Sequence, residues 1–365
     1  MIRAVHPQTI GISAIATYEP PWILGNDWFS EILPRKFVQH TGILSRHISM
    51  EDEVAIGIRA VESLHRESTC DLQDCAAVVF VSPSIVHGSV AREYLDEQHN
   101  WLKSTDRAAR EFVRRLGIPA TQVYGINWGC SGYSKALSIV QRHILPSLRL
   151  RQNQFIMVAT ASRISRITDY GCKQTAPLFG DLATATILSP IDSEKYPVHF
   201  ELVITGAGMH AVERVFFDYH VQENVSLPTR EGGRSCASRR LVFSLDGLAI
   251  ADAAPRAMAS TTAKAIQAAR IRPEEVQFLV PHQAGSGIVR LTEMKLQEIG
   301  VRGEVINGLT SDVGNVSSCS VPYALQKTWN RLQGIIVCPT AGVGHAGDAE
   351  VSHGCVILQA TGAHH

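Results

Sequence analysis

The sequence contains no apolar run of about 18 residues, the length that a membrane-spanning helix requires. The N-terminal stretch has no apolar segment long enough for a signal peptide before Pro20 and Pro21. Charge of neither sign is in excess, because 34 Lys and Arg balance 34 Asp and Glu, so the composition does not indicate binding to nucleic acid or to an anionic membrane. From these absences we expect a cytoplasmic protein that binds neither.

Cysteine is also sparse, since eight cysteines in 365 residues are too few for a disulfide scaffold. Cys70 and Cys75 are the closest pair, but no second pair at zinc-finger spacing accompanies them, so we predict no metal site. What the chain does have is 45% apolar and 19% charged residues, a balance typical of a globular protein with a sizeable core.

Strand-like and helix-like segments alternate along the chain, which predicts an α/β fold with a parallel sheet and crossover helices. The order from TIGISAIATY to LATATILSP is repeated from FELVITGAGM to HGCVILQAT. We therefore predict two duplicated halves, 1–195 and 196–365. The first half has an additional polar, helix-prone insertion at about 88–115, which could cap a tunnel, form a dimer contact or remain a solvated surface helix.

Cys130 stands between two glycines in NWGCSGYSKAL (127–137), where a strand pattern gives way to a helix pattern. The N-terminus of a helix lowers the pKa of a thiol, because its unpaired N–H groups favour the anion. The flanking glycines allow a tight turn and the close approach of another molecule. The pattern predicts an accessible nucleophile, and a buried structural cysteine is the alternative.

The internal repeat places two further polar residues near Cys130. GCSGYSKAL aligned with GNVSSCSVPYAL puts Cys130 opposite Asn315, and FVSP aligned with LVPH puts His282 after the end of a strand. Ligand sites in α/β sheets gather at the C-terminal ends of strands. His282 and Asn315 would then be two neutral donors to one thioester oxygen, stabilising the enolate formed when a carboxylate leaves a neighbouring carbon.

The glycine-rich segment TAGVGHAG (340–347) resembles half of a dinucleotide fingerprint, but a strand pattern and not a helix follows it, so we do not predict nucleotide binding. We expect a loop whose backbone N–H, from Gly342, Val343 or Gly344, forms an oxyanion hole with the N–H of Cys130. Asp181 is predicted to be structural, holding a strand-to-strand turn.

Five motifs occur in an order that resembles the thiolase-fold condensing enzymes of the β-ketoacyl-acyl-carrier-protein synthase III (KAS III) group, over nearly the whole chain. The motifs are FVQHTGILSRHIS (37–49), GCSGY (129–133), FGDLA (179–183), VPHQA (280–284) and GNVSSCSVPYAL (314–325). Each motif alone is a weak signal, whereas the ordered set is specific.

The resemblance implies a five-layered α-β-α-β-α thiolase-like fold and a homodimer, or a heterodimer with a homologue. It implies a catalytic triad of Cys130, His282 and Asn315, with acyl-coenzyme A or acyl carrier protein as substrate or partner and no separate cofactor. Cys130 would take an acyl group from a thioester. A malonyl-type thioester would then lose carbon dioxide, with the support of His282 and Asn315, and attack the acyl-cysteine.

The sequence departs from the KAS III pattern along the ligand tunnel. Lys36 aligns near the family's tryptophan that packs on the adenine of coenzyme A, and His40 aligns with its arginine. Gly285 replaces the asparagine that ends the His-Gln-Ala-Asn motif. We take these three as substrate-binding positions, and we expect a specialised acyl group, such as one on a carrier protein, and a role in secondary metabolism.

Other functions stay open at this point. Within the same fold they are acyl transfer from Cys130 to an oxygen or nitrogen nucleophile without condensation, activity like that of a type III polyketide synthase, and a non-catalytic partner subunit. A papain-like cysteine protease also has Cys, His and Asn in this order. However, Cys130 lies far from the N-terminus, and a duplicated α/β pattern does not fit that protease fold.

Overall fold

A computed structural model describes residues 8–68, 70–86, 104–213, 217–344 and 349–361. Within these ranges the strands are β1 (Ile10–Tyr18), β2 (Trp22–Gly25), β3 (Ser45–Ile48), β4 (Cys75–Val81), β5 (Gln122–Ile126), β6 (Phe155–Arg163), β7 (Asp181–Pro190), β8 (Phe200–Ala211), β9 (Phe217–Pro228), β10 (Arg234–Leu245), β11 (Val276–Leu279), β12 (Glu304–Val305), β13 (Ile335–Val343) and β14 (Glu350–Ala360). The helices are α1 (Phe37–Thr41), α2 (Glu53–Glu67), α3 (Thr105–Leu116), α4 (Gly132–Ile139), α5 (Gly247–Ala269), α6 (Ser286–Glu298) and α7 (Ser320–Lys327).

Ten strands form one mixed sheet in the order β12-β11-β13-β14-β8-β1-β7-β6-β4-β5. The prediction of a parallel sheet is therefore wrong in part, because the pairs β1–β7, β6–β7, β13–β14, β14–β8 and β1–β8 are antiparallel. On each side of the seam between β8 and β1, the five strands follow the order first, fifth, fourth, second and third along their half of the chain. At the seam Gly11 pairs with Glu201, and Ile12 pairs with Phe200. The two halves therefore share one topology, and the predicted boundary at 195/196 falls in the connection between β7 and β8.

The helices form three layers around the two half-sheets. Helices α4 and α7 lie between the halves, where Leu137 and Leu325 share a buried cluster with strands from both. Helices α2 and α3 cover the outer face of the first half, and α5 and α6 cover that of the second. The result is the α-β-α-β-α arrangement, so the predicted fold class is confirmed.

The long outer helices begin at residues whose side chains cap free backbone N–H groups. Asp52 accepts a hydrogen bond from the Ala55 N–H at 2.7 Å at the start of α2. Asp246 does the same for the Ala249 N–H at 3.0 Å at the start of α5. None of the helices in the described ranges combines the length and hydrophobicity that crossing a bilayer requires.

Only part of the predicted insertion lies in the described residues, because 87–103 are outside them. The remainder forms α3, which buries Ala108, Ala109 and Phe112 against the first half-sheet. Residues of α3 are absent from the lining of the cavity described below. This part of the insertion is therefore a packed outer helix and not a cap on the tunnel.

A long β-hairpin is not among the predicted elements. Strands β9 and β10 have twelve residues each and pair antiparallel from Phe217–Leu245 to Pro228–Arg234. Phe217, Phe243 and Leu245 enter a buried cluster with residues of α5. The hairpin thus adds an apolar surface beside the second half-sheet.

Candidate active site

A cavity of about 1270 Å³ lies among the turn before α4, the hairpin β9–β10, the helices α1, α5 and α6, and the end of β13. All nine residues that the sequence singles out for the site line this one cavity: Lys36, His40, Cys130, His282, Gly285, Asn315, Gly342, Val343 and Gly344. Their common location is the basis for the roles proposed below.

Cys130 lies in a 3-10 turn, Gly129–Ser131, that leads directly into α4. Gly129 has a φ of +52°, and a Cβ at this position would lie 2.7 Å from the carbonyl oxygen of Val343. A Cβ at Gly132 would lie 2.5 Å from Cγ1 of Val81. The two glycines therefore let the turn pack between β13 and β4, rather than leaving space for another molecule as expected from the sequence.

The sulfur of Cys130 is closely surrounded. The hydroxyl of Ser317 donates to Sγ at 3.5 Å. Burial raises the pKa of the Cys130 thiol, and the hydrogen bonds from Ser317 and from its own amide lower the pKa by less. This direction is opposite to the lowering that its place before a helix suggests.

His282 is buried, and its Nδ1 lies 2.6 Å from Oγ of Ser320, the first residue of α7. Ser320 Oγ also accepts a hydrogen bond from the Gln283 N–H at 3.3 Å. When Nδ1 accepts the Ser320 hydroxyl proton, the neutral ring carries its hydrogen on Nε2, and this is the tautomer that we assign. Burial lowers the pKa of His282 to about 4, so the imidazole is neutral at pH 7 and acts as a donor.

Asn315 is oriented by a hydrogen bond from the Ser317 N–H to its Oδ1 at 2.9 Å, which leaves the NH₂ end of the carboxamide for the cavity. The first half contains the same arrangement. Asn127 Oδ1 accepts from the Gly129 N–H at 3.1 Å, and Gly129 and Ser317 both have a φ of +52°. The structural equivalent of Asn315 is therefore Asn127, and not Cys130 as the alignment of the two halves predicts.

The family model described as 3-oxoacyl-[acyl-carrier-protein (ACP)] synthase III matches residues 124–205, the part of the chain with Cys130. The model for the C-terminal part of the same synthase matches residues 266–350, the part with His282 and Asn315.

Sequence relatives and solved structures agree with these matches. The β-ketoacyl-[acyl-carrier-protein] synthase III of Rhodospirillum centenum is 28% identical over 322 residues, which cover 86% of this chain and 88% of the relative. The structure of FabH, the 3-oxoacyl-(acyl carrier protein) synthase III of Pseudomonas aeruginosa PAO1, has a TM-score of 0.71 at 20% identity and covers 97% of this chain and 99% of its own. The chain is a KAS III-like enzyme of the thiolase fold. The priming β-ketosynthase of the R1128 polyketide pathway has the same fold, with a TM-score of 0.68, 18% identity and coverage of 98% and 99%.

In the KAS III-like chain the FGDLA motif holds the segment that carries Asn315. Phe179 and Asn315 form a parallel backbone bridge, and the Gly180 N–H donates to the Asn315 carbonyl oxygen at 3.2 Å. A Cβ on Gly180 would lie 2.1 Å from the carbonyl oxygen of Val313. Position 180 is therefore occupied by glycine because two backbone segments meet there without space for a side chain.

Asp181 joins three segments rather than only its own turn. Its carboxylate accepts hydrogen bonds from the Ser49 N–H at 2.8 Å and from the N–H and hydroxyl of Ser165. Burial raises the pKa of Asp181 to about 6, although these donors oppose the shift. The arrangement fits a structural carboxylate at the edge of the site.

The predicted glycine-rich loop is partly strand, since β13 continues to Val343, and residues 345–348 lie outside the described residues. The Gly344 N–H donates to the Glu350 carbonyl oxygen at 3.1 Å. Alternate residues of a strand direct their N–H groups to opposite edges, so the Gly342 N–H also faces β14 and only that of Val343 points away from it. Gly342 and Gly344 are therefore poor candidates for the oxyanion hole, whereas the Val343 backbone faces the turn with Cys130.

The three predicted substrate-binding positions lie on one side of the cavity. Lys36 immediately precedes α1, and His40 belongs to it. A Cβ on Gly287 would lie 2.6 Å from the carbonyl oxygen of His40, so α1 packs directly on α6. Gly285, at the start of α6, has a φ of +135°, a conformation that favours glycine.

Three parts of the site do not appear among the predicted residues: Ser317 beside the sulfur, Ser320 behind the imidazole, and the apolar wall of the hairpin. Both serines lie in the GNVSSCSVPYAL motif, in which the sequence predicts only Asn315 as a site residue. The hairpin has a signal of its own, because apolar residues alternate at Phe217, Tyr219 and Val221.

Proposed function

We propose that this chain is a condensing acyltransferase that joins an acyl group, held as a thioester on Cys130, to a malonyl-type thioester with loss of carbon dioxide. The observation that carries the proposal is the presence on one cavity of a thiol, a neutral imidazole and an oriented carboxamide. The names of the relatives, which are β-ketoacyl-acyl-carrier-protein synthases, support the same reaction.

In the first step, Sγ of Cys130 attacks the carbonyl carbon of an acyl thioester on coenzyme A or a carrier protein. The Cys130 N–H and the Val343 N–H would stabilise the oxyanion that forms. The bond to the carrier sulfur then breaks, and the carrier leaves as a thiol after taking up a proton equivalent to the one that Cys130 lost. The net change is a thioester exchange that needs no cofactor.

In the second step, a malonyl-type thioester loses carbon dioxide, and its electron pair moves onto the thioester as an enolate. His282 through Nε2–H and Asn315 through its NH₂ group are two neutral donors for the enolate oxygen. The enolate carbon attacks the acyl carbonyl on Cys130, and Sγ leaves. The product is a β-ketoacyl thioester.

The biological setting belongs to the same proposal. Similarity to the priming ketosynthase of the R1128 polyketide pathway supports a role in secondary metabolism. Strand β5 supports a homodimer, or a heterodimer with a homologue, because all of its residues are half-buried and no strand within the described ranges pairs with its outer edge.

Acyl transfer from Cys130 to an oxygen or nitrogen nucleophile requires an acceptor on His282 to act as base. Because Ser320 directs the ring hydrogen to Nε2, the hydrogen-bond pattern favours condensation over this alternative.

The deciding experiment is intact-protein mass spectrometry after incubation with acyl-coenzyme A and acyl-carrier-protein thioesters, followed by addition of malonyl thioester. We expect an adduct on Cys130 that is absent in Cys130→Ala, then carbon dioxide release and a β-ketoacyl product. Ser320→Ala should slow decarboxylation about tenfold or more and leave the acylation rate nearly unchanged. Discharge of the acyl group without carbon dioxide release would establish simple acyl transfer, and a wild-type chain that never acylates would favour a partner subunit.

A further inference from the structure

One wall of the cavity is a continuous row of aromatic rings that begins at the Asn315 segment. Phe179, whose backbone pairs with Asn315, has its ring 5.4 Å from that of Phe243 in an edge-on contact. Phe243 lies 5.7 Å from Phe217, and Phe217 lies 5.1 Å from Tyr219. All four residues line the cavity. An apolar surface therefore leads from the reacting groups along the hairpin.

The residues packed around these rings are apolar as well. Helix α5 contributes Ile250, Ala251 and Ala254, and the 3-10 turn after β6 contributes Ile164 and Ile167. No carboxylate within the described residues lines the cavity. The hairpin side is thus suited to a group with neither charge nor hydrogen-bonding capacity.

Three cations also line the cavity. Lys36 and Arg290 line the cavity from α1 and α6, which pack on each other, and neither forms an ion pair with a described residue. Lys173 is a third lining cation. An anionic carrier group would therefore be held at the α1–α6 side, and the part of the substrate beyond Cys130 would extend toward the hairpin.

We infer that the acyl group loaded onto Cys130 is an apolar chain considerably longer than acetyl, and that this chain lies between the hairpin β9–β10 and α5. The inference rests on the proposed function and specifies its substrate class. The volume of about 1270 Å³ exceeds the roughly 300–1,000 Å³ typical of small-molecule pockets. An acetyl group has no methylene to place along the part of the ring row that lines the cavity.

The length of the acyl group should have a large effect on the rate at which Cys130 is acylated. Each methylene moved from water into an apolar site is worth roughly a fourfold increase in binding. Acetyl places no methylene on the wall, whereas octanoyl places six there. Even if only part of this binding is expressed in the transition state, we expect octanoyl to load at least tenfold faster than acetyl.

The test is competition between acetyl and octanoyl thioesters, offered together on coenzyme A and, separately, on a carrier protein, with the Cys130 adduct followed by intact-protein mass spectrometry. Ala251→Phe fills the space between α5 and the hairpin and should reduce octanoyl loading at least tenfold while acetyl loading changes less than threefold. Ala268→Phe introduces the same side chain on the exposed face of the same helix and is the matched control.

Faster loading of octanoyl, with selective loss in Ala251→Phe and none in Ala268→Phe, supports the inference. Equal or faster loading of acetyl would overturn the inference and leave the proposed function intact. Equal slowing of both thioesters by Ala251→Phe would show that the octanoyl group does not lie along the hairpin β9–β10. Failure of every thioester to load Cys130 would overturn the proposed function itself.

Discussion

The space in front of the Cys130 sulfur depends on the absence of a side chain at position 342. A Cβ on Gly342 would lie 2.8 Å from Sγ and 2.6 Å from Cβ of Cys130, closer than such contacts occur in folded proteins. Because Gly342 lies within β13, its backbone cannot move away without disturbing the pairing with Ser352 of β14. The position of the Cys130 sulfur therefore depends on residue 342 having no side chain.

Gly342→Ala should displace the Cys130 sulfur and reduce its acylation by about 100-fold, since a shift of an ångström in a reacting atom has an effect of that size. The measurement is the rate of Cys130 adduct formation by mass spectrometry, with circular dichroism to confirm the fold. Gly206→Ala, in strand β8 of the same sheet, is the matched control, because an added Cβ there meets no atom within 4 Å. Equal acylation rates in the two variants would contradict the role assigned to Gly342.

At the scale of the element, the hairpin β9–β10 is attached to the site by a half-buried arginine, Arg240. Arg240 Nε donates to the Arg166 carbonyl oxygen at 2.7 Å, and its Nη2 donates to that of Ser165 at 2.9 Å. Both acceptors lie in the 3-10 turn that also places Ile164 and Ile167 on the cavity. Burial lowers the pKa of Arg240 to about 10, so the group remains charged at neutral pH.

Arg240→Met keeps most of the side-chain volume but removes the donors, so the hairpin should open locally more often. Losing a net contact of roughly 1.4 kcal/mol would accelerate amide exchange in β9 and β10 about tenfold. Hydrogen exchange measured by mass spectrometry on peptides from the hairpin tests this. Arg230→Met, an exposed change in the hairpin turn, should leave exchange in the strands unaltered. Unchanged exchange in Arg240→Met would show that ring packing alone holds the hairpin.

The strands and helices of the two half-sheets could be predicted because alternation and repetition are properties of the sequence itself. The position of the hairpin could not be predicted, because the sequence does not show that its apolar face packs against α5. The repeat in the sequence aligns the glycines before Cys130 and Asn315, whereas the matching left-handed positions in the structure are Gly129 and Ser317. A left-handed serine gives no sequence signal comparable to glycine.

At the scale of the whole molecule, the two similar halves each contribute one copy of the same turn to the site. The asparagine of each turn, Asn127 or Asn315, makes different contacts through its NH₂ group. The NH₂ group of Asn127 donates to the carbonyl oxygens of Pro83 and Ile85 in the first half. In its counterpart Asn315, the NH₂ group is left to face the cavity. His282 and Asp181 come to lie in the interior where the halves meet, and burial shifts their pKa values in opposite directions, to about 4 and about 6.

These shifts make opposite contributions to stability below neutral pH. The pKa of His282 is lower in the folded chain than its ordinary 6.5, so the unfolded chain takes up a proton first and the free energy of unfolding falls as the pH falls from 6.5 toward 4. The pKa of Asp181 is raised from 3.8, so its contribution to the free energy of unfolding grows as the pH falls from 6 toward 3.8. Over the shared range the two contributions partly cancel in the wild type.

His282→Gln removes one of these contributions and should expose the other. Between pH 7 and pH 5 the wild type loses about 2 kcal/mol of unfolding free energy through His282, because the unfolded chain is protonated and the folded chain is not. The variant avoids this loss, so its stability relative to the wild type should improve by about 2 kcal/mol on acidification. Urea denaturation at the two pH values measures the difference, with the exposed His220→Gln as the control for the same substitution. A stability difference between His282→Gln and the wild type that is the same at both pH values would mean that His282 is not held neutral by burial, and the assignment of its imidazole as a neutral donor would fail with it.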